Sequence, residues 1–255
     1  MAERPRVLVT RPAGQAQGLC DRLVAAGFDA IHVPAIAITD PADGSALDAL
    51  IPVLERYQLA IFVSVNAVLH GLPRILRLRS WPAQTAIATV GLSTTAAVEV
   101  LGLPVAHVPE HEYSSEGLLA LPALQHMAGR RVVILRGNGG RDALHAELAA
   151  RGALVDYVEV YRRICPPDSA AKLLPLLVAH RLGVITVTSN EVLQNLFDMA
   201  GNDGQPLLRE IPLVVASRRQ AALAAQLGFR QGAVIAGHAS DEAMAAGVQQ
   251  LIAGN

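Results

Sequence analysis

The feature that most constrains this chain is an internal duplication. Arg6, Arg11, Gly14, Leu19, Leu23 and Gly27 recur as Arg131, Arg136, Gly139, Leu144, Leu148 and Gly152, each pair 125 positions apart with no gap between them. Each copy reads as a short apolar strand, a glycine-containing turn, a helix with leucines at helical spacing, and a glycine placed to stop that helix. The likeness continues beyond the opening unit. Ala60 to Asn66 resembles Val184 to Asn190, Gly102 is followed in the second copy by Gly228, and Ser114-Ser115-Glu116 by Ser240-Asp241-Glu242. Residues 6–125 and 131–255 therefore read as two copies of one α/β half.

Strands alternate with helices throughout, which predicts parallel sheets with crossover helices. Hydrophobic residues make up 52% of the chain but aromatics only 4%. Such a core of Ala, Val and Leu suits sheets buried on both faces. In the first copy the spacing predicts helices over 45–56, 66–77, 93–101 and 115–127, with strands at 60–64, 86–90 and 105–108. The second copy repeats this order, with a helix over 190–200. Two extended, proline-bounded segments, 34–41 and 159–167, are the candidate crossings between domains.

Charge and cysteine content narrow the function. The formal net charge is −1 and Lys172 is the sole lysine, so no global field attracts nucleic acid. An anionic ligand would have to be met by local arginines or backbone N–H groups. Cys20 and Cys165 form no CxxC pair, and His107, Glu110 and His111 lack a third His or Cys for zinc. No secretory signal and no apolar run of about 18 residues is present, so a soluble cytoplasmic protein without membrane contact is expected.

In parallel α/β sheets ligands lie beyond the carboxyl ends of the strands, where helix N-termini favour anions. Thr10-Arg11, Ser64 to Asn66, Gly91 to Thr95, Ser114-Ser115, Arg136 to Arg141, Thr188 to Asn190, Ser217 to Arg219 and Ser240 all follow a predicted strand. Any one of these Ser or Thr residues can be a helix cap; the set together reads as a cradle for a polyanion. Gly137, Gly139 and Gly140 suggest a dinucleotide loop, but the third fingerprint position is Asp142, which counts against a nicotinamide-dependent oxidoreductase. Tyr161, in the second crossing, is either a packed junction residue or a phenol able to donate a proton to a leaving group.

Taken in order, VLVTRP at 7–12 with Gln15-Ala16, FVSVNAV at 62–68, SEGLL at 115–119, and LRGNGGR at 135–141 through Val160-Tyr161-Arg162 resemble the uroporphyrinogen-III synthase family over essentially the whole chain. The resemblance implies two flavodoxin-like, doubly wound parallel-sheet domains joined by a two-stranded β ladder. One domain, residues 1–35 with 166–255, would be discontinuous, the other, 40–160, inserted, and the active site would be the cleft between them. The implied reaction closes the linear tetrapyrrole hydroxymethylbilane into uroporphyrinogen III with inversion of the last ring and loss of water, without metal or organic cofactor. By the matching positions Tyr161 would protonate the leaving hydroxyl. Ser64, Thr94, Ser115, Gly137, Asn138, Gly139, Thr188 and Ser189 would bind substrate carboxylates, while Arg11 and Arg141 would bind them or brace their loops. The expected partners are the small-molecule substrate and, transiently, hydroxymethylbilane synthase, which makes it. A cytoplasmic bilobal ligand-binding protein without chemistry is the alternative.

Overall fold

The computed structural model describes residues 4–139 and 142–254. The chain divides into two compact units, the first made of residues through Ala37 together with those from Ile164 onward, the second of Ile38–Arg163. Each contains a five-stranded sheet.

The first unit begins with β1 (Arg6–Val9), α1 (Ala13–Ala25) and β2 (Asp29–His32). After the second unit it resumes with α7 (Pro167–Val178), β8 (Val184–Val187), α8 (Asn190–Leu208), β9 (Leu213–Val215), α9 (Arg218–Gln226), β10 (Ala233–Ile235) and α10 (Asp241–Ala253). Its strand order is β2-β1-β8-β9-β10 and its pairings are parallel. By order of occurrence this is 2-1-3-4-5, the doubly wound flavodoxin-like arrangement. Alternate residues of the strands feed opposite faces. Leu8, Ile185 and Leu213 enter one apolar cluster with α8, while Val7, Val9, Val184 and Val214 enter another with α1 and α10.

The second unit contains β3 (Ala37–Thr39), α2 (Ser45–Leu50), β4 (Leu59–Phe62), α3 (Val65–Leu78), β5 (Ala86–Thr89), α4 (Leu92–Val100), α5 (Ser115–Ala120), β6 (Arg131–Gly137), α6 (Ala143–Ala150) and β7 (Leu154–Ile164). Its order is β3-β7-β6-β4-β5. Strands β7-β6-β4-β5 correspond to β2-β1-β8-β9, with the opening βαβ unit now last in the chain. β3, through which the chain enters this unit, lies beside β7, through which it leaves. Leu59–Phe62 and Val184–Val187 are buried at every position, as expected for central parallel strands covered on both faces.

The duplication is confirmed at the level of caps. Gly27 and Gly152 follow α1 and α6 with φ of 89° and 84°, and Gly102 and Gly228 follow α4 and α9 with 81° and 85°. Only glycine takes these angles readily. Ser64 and Ser189 both cap helices, accepting the N–H of Ala67 and Val192 at 3.1 Å. The two serines are 125 positions apart, so the sequence pairing of 60–66 with 184–190 was one residue out of register. The apolar strand residues ahead of each serine match in either register, and Asn66 opposite Asn190 favours the shifted one.

Several expected elements differ. The strand expected at 105–108 is reduced to one bridge, His107 to Ala88. The helix over 115–127 ends at Ala120 and continues as a 3₁₀ turn, Pro122–Leu124, since proline cannot join the preceding ladder. Pro52 likewise opens the 3₁₀ turn Ile51–Arg56 after α2. The helix over 190–200 extends to Leu208, interrupted at Gly201, whose φ is 61° and ψ −176°.

Candidate active site

In a doubly wound sheet the crevice opens where neighbouring strands send their helices to opposite faces. In the second unit that point lies between β6 and β4. There the structure has a cavity of about 350 Å³, lined by Ser64, Ser115, Arg136, Gly137, Gly139, Tyr157, Tyr161 and Arg163 over a floor of Val63, Ile134 and Leu144. Five of the residues expected from sequence, Tyr161, Ser64, Ser115, Gly137 and Gly139, are thus brought to one place.

Tyr161 is 5% exposed, and its hydroxyl lies 3.2 Å from Ser64 Oγ. Ser64 Oγ also accepts the Ala67 N–H, and in its pair with Tyr161 either hydroxyl can be the donor. The cap that starts α3 therefore also places a hydroxyl against the phenol. The ring of His70, further along α3, is 6.0 Å from the Tyr161 ring, and His70 Nδ1 meets Asp40 Oδ1 at 3.0 Å.

How Tyr161 reaches the cavity depends on an irregularity in β7. The pairing with β6 steps from Arg136–Glu159 to Gly137–Tyr161, leaving one extra residue on β7. Such a bulge re-aims the side chains after it. Simple alternation would put Tyr161 on the face of Val155 and Tyr157; instead it packs in the cluster of Val158 and Val160.

Arg136 is 9% exposed and was placed from sequence in the polar loop without a role of its own. Its guanidinium lies 4.6 Å from the centre of the Tyr157 ring. It donates to the carbonyls of Gly137 and Gly139 and to Asp142 Oδ1, so it ties these three residues to the end of β6. Tyr157 in turn donates to Asp142 at 3.2 Å and stacks on His145 at 5.0 Å. Burial, together with Asp142 and against the opposing Arg136 charge, holds the Tyr157 phenol above its ordinary range. Tyr157 and Arg163 were not expected from sequence, and because the bulge interrupts the alternation of β7, a period-two count from Tyr161 gives no sound reason to pick them out.

The remaining candidates are placed otherwise. Asn138 adjoins the cavity but its side chain is engaged by the backbone of Arg163. Thr94 is buried in the first turn of α4 and does not line the cavity. Arg141 lies outside the described residues. In the first unit Arg11 follows β1, while Thr188 and Ser189 follow β8, the neighbouring strand at that sheet's own switch point. Arg11 donates to Asp241 and to the Ala239 carbonyl, so it braces the start of α10; its Nε is buried without a hydrogen-bond partner among the described residues. His107, Glu110 and His111 do not join a group able to hold a metal among those residues. No helix among them is long and apolar enough to cross a membrane.

The family model described as Uroporphyrinogen-III synthase HemD matches residues 18–246. The uroporphyrinogen-III synthase of Salmonella typhimurium is 34% identical over 95% of this chain and 99% of its own, and that of Escherichia coli is 32% identical over the same shares. Among solved structures, a mutant uroporphyrinogen III synthase of Thermus thermophilus superposes with a TM-score of 0.67 at 17% identity, over 97% of each chain. The Helicobacter pylori uroporphyrinogen-III synthetase gives 0.58 at 13% identity, over 98% of this chain and 100% of that one. At those identities the structures attest the fold, while the closer sequences and the family model carry the assignment: this chain belongs to the uroporphyrinogen-III synthase family.

Proposed function

We propose that this chain closes hydroxymethylbilane to uroporphyrinogen III, with Tyr161 giving its proton to the hydroxyl that leaves. The observation that carries the reading is the hydroxyl pair at 3.2 Å between Tyr161 and Ser64, set in a cavity at the switch point of the second unit's sheet. Ser64, already an acceptor for Ala67, donates to the tyrosine oxygen and stabilises the charge that builds there as the proton departs. Departure of the hydroxyl leaves a cation on the substrate's end carbon, which the substituted carbon of the last ring attacks to form a spiro intermediate. Reopening and closure on the other carbon invert that ring.

This substrate also closes unaided to the non-inverted isomer, so holding one folded geometry is the larger part of the task. Substrate carboxylates are held around the second unit's cavity by Ser115, Gly139 and Arg163. Thr188 and Ser189 are carboxylate binders at the first unit's own helix start. Arg11 and Arg136 shape these loops. Thr94, closed off in α4, supports its helix. Family membership favours this reading over the ligand-binding alternative. A cytoplasmic location, and transient contact with hydroxymethylbilane synthase, belong to the same reading, since a substrate that cyclises spontaneously profits from short transfer.

The test is to supply hydroxymethylbilane freshly generated by its synthase, oxidise the products and resolve the isomers. Mostly isomer III is expected, and a ratio equal to the spontaneous one refutes the function. Tyr161→Phe should lower kcat by roughly 10²–10⁴ with isomer III still dominant. Unchanged kcat would remove Tyr161 from the chemistry.

A further inference from the structure

Asn138 comes directly after β6 and makes its side chain serve as a stretch of strand. Its Oδ1 accepts the Arg163 backbone N–H at 2.6 Å, and its Nδ2 donates to the Arg163 carbonyl at 3.2 Å. Its own backbone N–H donates to the Tyr161 carbonyl at 3.2 Å, and its carbonyl accepts from Arg163 Nη2 at 3.2 Å. One residue thus grips β7 at Tyr161 and again two residues on. This occurs where the regular ladder has slipped at the bulge, so backbone pairing alone no longer fixes the register of the strand beyond it.

Gly137 completes the arrangement. A Cβ built at this position would lie 2.5 Å from both Cε2 and Cζ of Tyr161, well inside contact distance, so the phenol lies directly over the bare Cα. Gly137 is also buried, and its carbonyl accepts from Arg136 Nε at 3.3 Å. The Asn138 amide oxygen, one of its amide N–H groups and the Gly137 carbonyl are thus already engaged within the protein.

We infer that Gly137 and Asn138 are positioning residues for Tyr161, rather than substrate ligands: the glycine provides the floor under the ring, and the asparagine amide locks the bulged strand that carries it. The inference rests on the reading of Tyr161 as proton donor. A misplacement of about 1 Å at a reacting group can cost on the order of 100-fold in rate, so the clamp has a kinetic signature.

The experiment measures kcat and KM of the full chain with freshly generated hydroxymethylbilane for Asn138→Ala, Asn138→Asp, Gly137→Ala and Tyr161→Phe, and for Asn138→Ala and Gly137→Ala each combined with Tyr161→Phe. The expected result is a kcat loss of about 10- to 100-fold for Asn138→Ala and Gly137→Ala, with KM within about threefold of the parent. Asn138→Asp should recover part of that loss, because a carboxylate still accepts the Arg163 N–H. With the hydroxyl already removed, the double variants should be no slower than Tyr161→Phe alone. The clamp is overturned if Asn138→Asp raises KM far more than Asn138→Ala, as a carboxylate facing an anionic substrate would, or if the losses multiply in the double variants. If Tyr161→Phe alone is silent, the reading of Tyr161 falls and the clamp falls with it. Should Asn138→Ala fail to fold, Asn138→Asp and the Gly137→Ala pair with Tyr161→Phe decide the question.

Discussion

Ser64 and Ser189 offer a matched pair of perturbations that the duplication itself supplies. Each hydroxyl accepts a helix N–H at 3.1 Å, from Ala67 and Val192 respectively, so Ser→Ala at either site removes one cap. That loss should cost about 1 kcal/mol at each. For units of this size it corresponds to a melting shift of roughly 2–5 °C. The chemistry should separate them. Only Ser64 faces a tyrosine hydroxyl, at 3.2 Å, and all four tyrosines of the chain, at 57, 113, 157 and 161, lie in the second unit. A hydrogen bond to an oxygen that becomes charged contributes about 1.5–3 kcal/mol. By transition-state arithmetic Ser64→Ala should therefore lower kcat by roughly 10- to 150-fold. Ser189→Ala, if Ser189 holds a carboxylate, should act on KM. The assay is steady-state turnover with freshly generated hydroxymethylbilane, run beside calorimetric melting of both variants. Equal kcat losses with equal melting shifts would refute the coupling of Ser64 to Tyr161 and reduce both serines to caps.

Two further expectations concern stability. A Cβ at Gly247 would lie 2.7 Å from Val214 Cγ1, so Gly247→Ala should destabilise the first unit by about 1–3 kcal/mol through overpacking, and Val214→Ala should restore part of it; denaturant midpoints of the single and double variants check this. Burial, with Arg130 as the lesser cause, holds the His107 imidazole below its ordinary value of 6.5, so the unfolded chain binds its proton first. This contribution to stability is complete above pH 6.5 and is lost as pH falls from there through the lower folded value. His107→Gln should flatten that limb of the melting profile; an unaltered profile would contradict the assignment.

The duplication, the class of sheet and most of the loop residues that reach the cavity are legible in the amino-acid order. These properties are written in local terms: a buried parallel strand is mostly apolar, a left-handed helix stop favours glycine, and a helix start gains from a capping side chain. Gly27, Gly152, Ser64 and Ser189 answer to such rules wherever they occur. Family resemblance named Tyr161, but neither period nor propensity tells which way its ring points.

Tertiary structure alone decided that. One extra residue in β7 turns Tyr161 away from the face of Tyr157, and the partners that hold it there, Gly137 and Asn138, matter for what they touch across strands. The same holds for Arg136, whose hydrogen bonds are taken up by its own loop, and for Arg11, whose hydrogen bonds go to the start of α10. Long-range register is set by packing between strands distant in sequence, and a buried charge goes to whichever acceptor the fold presents. A linear sequence specifies those outcomes only through the completed sheet.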